Sequence, residues 1–224
     1  MSTPTPRRGL LAAAMIAGPL LVVIGHALTV PPQGSADVYL SDLLAHRASA
    51  VTGGLLTAAG ALLMIPAVIG LLQLIGERGR RLATIGGVLA GIGAAGLAVG
   101  DAMITLIMGT LAPADRALAA RVFHLASNSS LAGAPFVLAP ALFLGLILIA
   151  AALIRARTVP MWQPILIIAG GVVAFAAPSG KLAGALANLP LAVAIIALGL
   201  QLRRQADDPA APAVTAVTAA AHAR

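Results

Sequence analysis

The stretch LATIGGVLAGIGAAGLAVGDAMITLIMGTL, residues 82–111, decides the fold class of this chain. Its 30 residues contain one charged side chain, Asp101, and the others are apolar, small or hydroxyl-bearing. The hydrocarbon core of a bilayer is about 30 Å thick, and an α-helix crosses it with about 20 such residues. Because no water is present there to bond the backbone, a segment of this kind must be helical. The stretch therefore predicts a membrane-spanning helix.

Further apolar stretches of similar length lie on both sides of this one. Together they predict six spans at residues 10–30, 50–75, 82–111, 131–154, 161–177 and 182–202, of which the fifth is the shortest. We therefore predict an all-α fold, a polytopic transmembrane helical bundle that forms one domain over residues 10–204. Residues 1–9 are predicted to be an N-terminal extension, and the Ala/Pro-rich residues 205–224 to be a disordered tail.

The composition excludes several functional classes. Of the 224 residues, 60% are apolar and 9% charged, whereas a soluble domain has roughly a quarter of its residues charged. This excludes an ordinary soluble domain, a disordered chain and a nucleic-acid-binding protein. The chain has no cysteine, which excludes disulfides, thiolate metal sites, iron–sulfur clusters and cysteine catalysis.

Basic residues are distributed unevenly between the two ends of the spans. Ten lie on the side of the termini: Arg7, Arg8, Arg78, Arg80, Arg81, Arg155, Arg157, Arg203, Arg204 and Arg224. Four lie on the other side: Arg47, Arg116, Arg121 and Lys181. Acidic residues cancel the second set, so the first side carries the whole formal net charge of +7. The positive-inside rule then predicts that both termini are cytoplasmic.

The first span could be mistaken for a secretory signal, because Arg7 and Arg8 precede it. Its apolar run is longer than the usual hydrophobic region of a signal, and no convincing small-x-small cleavage site follows before Pro31. We therefore expect an uncleaved first helix.

Glycines mark the third span as a packing helix. Gly86, Gly93 and Gly100 recur every seven residues, and glycine lets helix backbones approach closely in lipid. We expect this helix to be central and contacted by protein, with a homodimer face as the alternative.

On the outer side, Leu118 and its neighbours recur at helical spacing within residues 113–130. This predicts a short amphipathic helix, with Pro113 at its first position.

Polar side chains inside a membrane are costly and therefore mark candidate functional sites. Most of them lie toward the outer side. The candidate ligand-binding residues are Asp101, His26, Asn188, Lys181, His124 and Arg121. We expect Asp101 to pair with His26, Lys181 or an arginine in an outward-facing pocket for a small polar or amphipathic ligand. The alternative is that Asp101 and His26 are hydrated at the interface or form one structural pair.

A metal site is a weaker hypothesis. Asp42 and His46 are four residues apart, so one helical face could present both, and His124 could add a nitrogen suited to zinc. A surface contact along the helix explains the same spacing. We therefore predict no metal, no cofactor and no catalytic residue, and a metal-dependent membrane hydrolase is the least favoured function.

Several motifs together suggest a family. They are the RRG start, GPLL in the first span, the outer PP loop with its HR pair, IPAVIGL followed by GERGRR, and the RARTVPMW junction. In these the chain resembles uncharacterised small six-helix integral membrane proteins of high-GC bacteria, over about residues 7–204. The resemblance implies the fold but no activity. We expect binding or transport of a small ligand, or alternatively a structural or accessory subunit, with lipids, a second copy or a membrane protein as partners.

Overall fold

The computed structural model describes residues 5–30, 35–128, 134–176 and 181–207. Eight helices form this part of the chain: α1 (Thr5–Leu28), α2 (Ala36–Ala45), α3 (Arg47–Gln73), α4 (Arg80–Ala114), α5 (Arg116–Asn128), α6 (Ala134–Ala156), α7 (Trp162–Ala176) and α8 (Lys181–Asp207). A short 3₁₀ turn, Glu77–Gly79, joins α3 to α4. The described residues contain no strand, which confirms the all-α prediction for them.

Within the described residues, four helices are long and apolar enough to cross a membrane. These are Arg7–Leu28 of α1, Arg47–Gln73 of α3 and Leu182–Asp207 of α8, together with Glu77–Ala114, which consists of the 3₁₀ turn followed by α4. Two further apolar segments, Pro140–Ala156 of α6 and Trp162–Phe175 of α7, are shorter. Prolines inside α1, α3, α6 and α8 are compatible with this reading, because neighbouring helices in a membrane protein can satisfy the freed backbone groups.

The four long helices and the two shorter apolar ones, α6 and α7, form a closed ring, and these six are called the long helices below to separate them from α2 and α5. α1 contacts α3, α3 contacts α4, α4 contacts α6, α6 contacts α7, α7 contacts α8, and α8 returns to α1. Consecutive long helices in the chain are therefore neighbours in space, and the first and last helices close the circle.

Neighbours in the ring are antiparallel. Along α1, Gly18 lies against Gly60 of α3, whereas Gly25 lies against Gly53, so the two helices run in opposite directions. The contacts of α8 with α1, of α4 with α3 and α6, and of α7 with α6 have the same reversed order. Because the directions alternate, the arginine-bearing ends of the six helices lie at one end of the ring, which we call the arginine end.

The glycines of α4 make close contacts with α6. A methyl group on Gly86 would lie 2.7 Å from the Gly145 carbonyl oxygen, and one on Gly93 would meet the backbone of Leu142. These two glycines therefore pack within the chain, as the sequence predicted. The expectation that α4 is central is wrong, because α4 is one of six helices in the ring and its Ile85 and Val88 are exposed.

The outer faces of the ring are apolar. Large exposed side chains occur along all six helices, among them Leu20, Leu62, Ile92, Leu144, Val172 and Val193. Contiguous exposed apolar surface of this extent is unusual in a soluble monomer and is expected of helices that face lipid.

Two short helices cover the end of α3 and α4 that lies opposite the arginine end. α2 and α5 pack there around Tyr39 and Met108, in a small core separate from that of the ring. α5 confirms the predicted short helix, but Pro113 lies in the last turn of α4, and Asp115 accepts the N-terminal hydrogen bond of α5 from the amide of Leu118 at 2.9 Å.

The predicted tail differs from the structure at its start. α8 continues to Asp207, so residues 205–207 are helical. The rest of the predicted tail lies outside the described residues.

Candidate functional site

A cavity of about 200 Å³ lies at the centre of the ring. α1, α3, α4, α6, α7 and α8 all contribute to its wall, so it is formed by the whole ring rather than by one hairpin. Its lining residues are Pro19, Val22, His26, Ala61, Met64, Leu97, Leu142, Phe143, Leu146, Ala174, Asn188, Leu191, Ala192 and Ile195. Twelve of these are apolar, and the two polar ones, His26 and Asn188, were both predicted as ligand-binding residues.

The cavity has a polar end and an apolar end. Along α1, His26 is the lining residue farthest from Arg7 and Arg8, and along α8 Asn188 is the lining residue farthest from Arg203. Because α1 and α8 are antiparallel neighbours, the imidazole and the amide reach the same end of the cavity. The sequence predicted this clustering of polar groups away from the arginines.

His26 keeps one ring nitrogen available. Its Nδ1 lies 2.9 Å from the carbonyl oxygen of Val22, one turn earlier in α1, and donates to it in the tautomer that carries the proton on Nδ1. No other described residue hydrogen-bonds the imidazole, so Nε2 is left as an acceptor toward a ligand.

Asn188 is arranged in the same way. Its Nδ2 donates to the carbonyl oxygen of Gly184 at 2.8 Å, one turn earlier in α8. No hydrogen bond to Oδ1 occurs within the described part of the chain. The two polar residues of the cavity thus each satisfy a backbone carbonyl and each keep one acceptor for a bound molecule.

Asp101 is close to the cavity but is not one of its lining residues. It is one helical turn from Leu97 on α4, on the side of the polar end, and Leu97 lines the cavity. Its Oδ2 is buried and has no hydrogen-bond partner among the described residues. The expected ion pair with His26 or an arginine is therefore not formed within that part of the structure.

Close glycine contacts hold α1 in place at the polar end. A methyl group on Gly25 would meet the Thr57 hydroxyl of α3, and one on Gly53 would lie 2.6 Å from the amide nitrogen of Thr29. On the other side of α1, the position of a Gly184 methyl group lies 3.3 Å from the His26 ring. The sequence reasoning missed Thr57, although a hydroxyl within an apolar run beside the Gly53-Gly54 pair was the available signal.

The remaining candidates lie elsewhere or cannot be placed. Arg121 and His124 are exposed on α5 and do not line the cavity. Lys181 begins α8, but its side chain lies outside what the structure describes.

The residues of the weak metal hypothesis do not form a ligand set. His46 caps α2, and its Nδ1 approaches the backbone oxygen of Asp42 at 3.2 Å rather than the carboxylate. Within the described ranges, no three or more His, Cys, Asp or Glu side chains are grouped to hold a metal ion.

Tyr39, on the short helix α2, has a strongly perturbed pKa. Tyr39 of α2 stacks on Phe123 of α5, with ring centroids 5.0 Å apart, and its side chain is buried. Burial raises the pKa of Tyr39 to about 12, because the phenolate form is poorly solvated there.

Comparisons of the chain with protein-family models, with curated proteins and with solved structures find no match. The resemblance to six-helix membrane proteins of high-GC bacteria therefore stays a prediction from the sequence.

Proposed function

We propose that this chain crosses a bacterial plasma membrane six times, with both termini in the cytoplasm, and binds a small amphipathic molecule in its central cavity. The observation that carries the proposal is the cavity itself, which is lined by six helices, apolar over most of its wall and polar at one end. An apolar pocket with a few convergent polar groups is the usual form of a small-molecule site.

Three features support six spans. The six long helices alternate in direction, their outward faces are apolar, and their basic residues collect at one end. α7 is the shortest of them, at about 22 Å for its 15 residues, and a modest local thinning of the bilayer accommodates a span of that length.

The volume of the cavity limits the ligand. An apolar cavity of about 150 Å³ holds one benzene molecule. The 200 Å³ found here accommodate a ring or branched chain slightly larger than benzene, together with one polar group. His26 Nε2 and Asn188 Oδ1 are both acceptors, so the matching polar group is a donor such as a hydroxyl. Benzyl alcohol has these properties and serves as the probe.

Filling the cavity tests the binding function. Ala192 lines the cavity and is 4% exposed, whereas its neighbour Val193 is 51% exposed on the outer face of α8. We expect Ala192→Phe to abolish the shifted ¹⁹F resonance of 4-fluorobenzyl alcohol bound to the protein in nanodiscs. Val193→Phe adds a ring of the same size toward lipid and should leave that resonance in place. Equal binding by both variants would overturn the proposed site.

The absence of cysteine allows a clean test of the topology. A single cysteine at exposed Ser35, before α2, is predicted to face the periplasm, and one at exposed Thr158, between α6 and α7, the cytoplasm. A membrane-impermeant maleimide should label Ser35→Cys in intact cells and Thr158→Cys only after lysis. If only four helices spanned the membrane and the α6–α7 hairpin stayed outside, both positions would be labelled in intact cells.

A further inference from the structure

A second concave site lies at the arginine end, where α6 passes into α7. It is a groove of about 630 Å³, lined by Ile154, Arg155, Arg157, Val159 and Met161. This groove is separate from the central cavity and shares no residue with it. We call it the α6–α7 groove.

Two arginines line this groove without acidic partners among the described residues. Among the described residues, neither Arg155 nor Arg157 forms an ion pair, whereas the nearby Glu77 is paired with Arg80 at 3.1 Å. The Nε of Arg155 donates to the carbonyl oxygen of Arg78 at 3.1 Å. This bond holds the Arg155 side chain across the connectors and leaves its terminal nitrogens free to bind an anion.

Arg157 is held in an unusual backbone conformation. Its φ is 54°, in the left-handed region, and its amide donates to the Leu153 carbonyl oxygen at 3.0 Å to end α6. Glycine is the usual residue at such a helix end, because a side chain there is strained. An arginine in this position adds a second cationic residue to the lining of the groove at a conformational cost, and strain of this kind tends to occur at functional sites.

The apolar members of the groove indicate the kind of anion. Val159 is buried, whereas Met161 and the adjacent Trp162 are about half exposed, at 50% and 47%. Tryptophan is enriched at the level of lipid headgroups, and basic pockets on the cytoplasmic side of membrane proteins bind anionic headgroups. Guanidinium groups beside apolar side chains match a phosphate diester whose acyl chains continue along the protein.

We propose that the α6–α7 groove binds the phosphate of an anionic phospholipid from the leaflet at the arginine end. Arg155 and Arg157 both donate hydrogen bonds to the phosphate oxygens, while Ile154 and Met161 contact the upper part of an acyl chain. This inference rests on the membrane placement proposed above but not on the central cavity. The ligand chemistry is a phosphate ester, and the test separates the lipid from free phosphate.

Arg157→Gly distinguishes a lipid site from a structural role. Glycine suits the left-handed backbone, so this variant should be at least as thermally stable as the wild type while lacking the guanidinium. We expect Arg157→Gly, combined with Arg155→Gln, to weaken phosphatidylglycerol binding by roughly tenfold or more, because charge-assisted hydrogen bonds are lost. Arg7→Gln, on α1 across the ring, removes an exposed arginine from the same end and should bind as the wild type does.

The measurement is native mass spectrometry of the full chain in detergent, titrated with phosphatidylglycerol, with phosphatidylcholine or with inorganic phosphate alone. Preferential retention of phosphatidylglycerol, lost in the groove variant and kept in Arg7→Gln, supports the proposal. Equal retention of the two lipids, or equal losses in the groove and control variants, overturns it. Displacement of phosphatidylglycerol by inorganic phosphate would assign the groove to a free phosphate instead. Because this readout needs neither the topology assay nor 4-fluorobenzyl alcohol, its failure is distinguishable from failure of the proposed function.

Discussion

Gly25 of α1 lies so close to Thr57 of α3 that a methyl group on the glycine would overlap the threonine hydroxyl and lie 2.7 Å from the Thr57 amide nitrogen. The Thr57 hydroxyl itself donates to the Gly53 carbonyl at 3.0 Å, and Thr57 is buried. The contact lies next to His26, so the packing of α1 on α3 also sets the position of the imidazole at the polar end of the cavity.

We expect Gly25→Ala to destabilise the protein by about 1–3 kcal/mol, because the added methyl group forces α1 and α3 apart. The matched control is Gly91→Ala on α4, where nothing lies within 4 Å of the new methyl group. This control should be neutral or slightly stabilising, since alanine favours helix more than glycine does. Thermal unfolding of both variants in the same detergent measures the difference. Equal melting temperatures would show that α1 and α3 do not meet at Gly25.

The acceptors of the cavity should discriminate between ligands by their polar group. Asn188→Leu removes the amide and keeps a side chain of similar size. We expect the wild type to bind benzyl alcohol about fivefold more tightly than toluene, which corresponds to roughly 1 kcal/mol for one hydrogen bond. In Asn188→Leu the preference should shrink toward equality while toluene still binds. Competition against 4-fluorobenzyl alcohol in nanodiscs measures both affinities, and an undiminished preference in the variant would exclude Asn188 from ligand recognition.

Several features of this fold could be predicted from the sequence for a simple physical reason. A helix that crosses lipid must be long and apolar, so α1, α3 and α4 begin and end within a few residues of the predicted spans. His26 and Asn188 could be placed at one end because arginines mark the opposite end of every hairpin. These are properties of single helices, and they do not depend on which helices are neighbours.

Features that depend on packing between helices could not be predicted in this way. The hydropathy of a segment does not indicate which helices are its neighbours, so the contact between α1 and α8 that closes the ring could not be predicted. Without that information α4 was expected at the centre, where the structure has a cavity. α2 was not predicted as a helix, because it is short and gains its burial from Phe123 and Met108, which are distant in sequence. Asp101 was expected to be paired, but the sequence contains no information on which side chains face it.

The burial of Tyr39 predicts a pH dependence. Its pKa is about 12 in the folded protein against about 10 for an exposed tyrosine, so the folded state favours the neutral phenol. The stabilisation is complete below pH 10 and is lost as the pH rises from about 10 through about 12, by up to roughly 3 kcal/mol.

Absorbance at 295 nm measures this titration directly, because Tyr39 is the only tyrosine in the chain. We expect a midpoint near 12, moving toward 10 in Phe123→Ala, which removes the stacked ring and admits water. A midpoint near 10 in the wild type would mean that α2 and α5 do not bury Tyr39.

Gln163 presents a buried oxygen without a partner. It is 5% exposed near the start of α7, and its Oε1 has no hydrogen bond within the described part of the chain. Gln163→Met replaces the amide by an apolar group of similar shape. We expect it to raise stability by about 1–3 kcal/mol, because the desolvation penalty of an unpaired polar group disappears. A lower melting temperature for this variant would reveal a partner for the amide.

Asp101 Oδ2 is also a buried oxygen without a hydrogen-bond partner among the described residues. Replacing Asp101 by an apolar residue tests whether the carboxyl takes part in ligand binding. If Oδ2 has no partner in the functional protein, Asp101→Leu should be stabilising by about 1–3 kcal/mol, as for Gln163→Met. Asp101→Asn, which keeps the shape and a polar group, should change stability by less. Thermal unfolding with and without benzyl alcohol measures these effects, and Gln163→Met serves as the control because it lies away from the polar end. A loss of stability in Asp101→Leu that appears only when benzyl alcohol is present would show that the carboxyl interacts with the ligand, as the sequence suggested, and would extend the polar end of the cavity by one turn of α4.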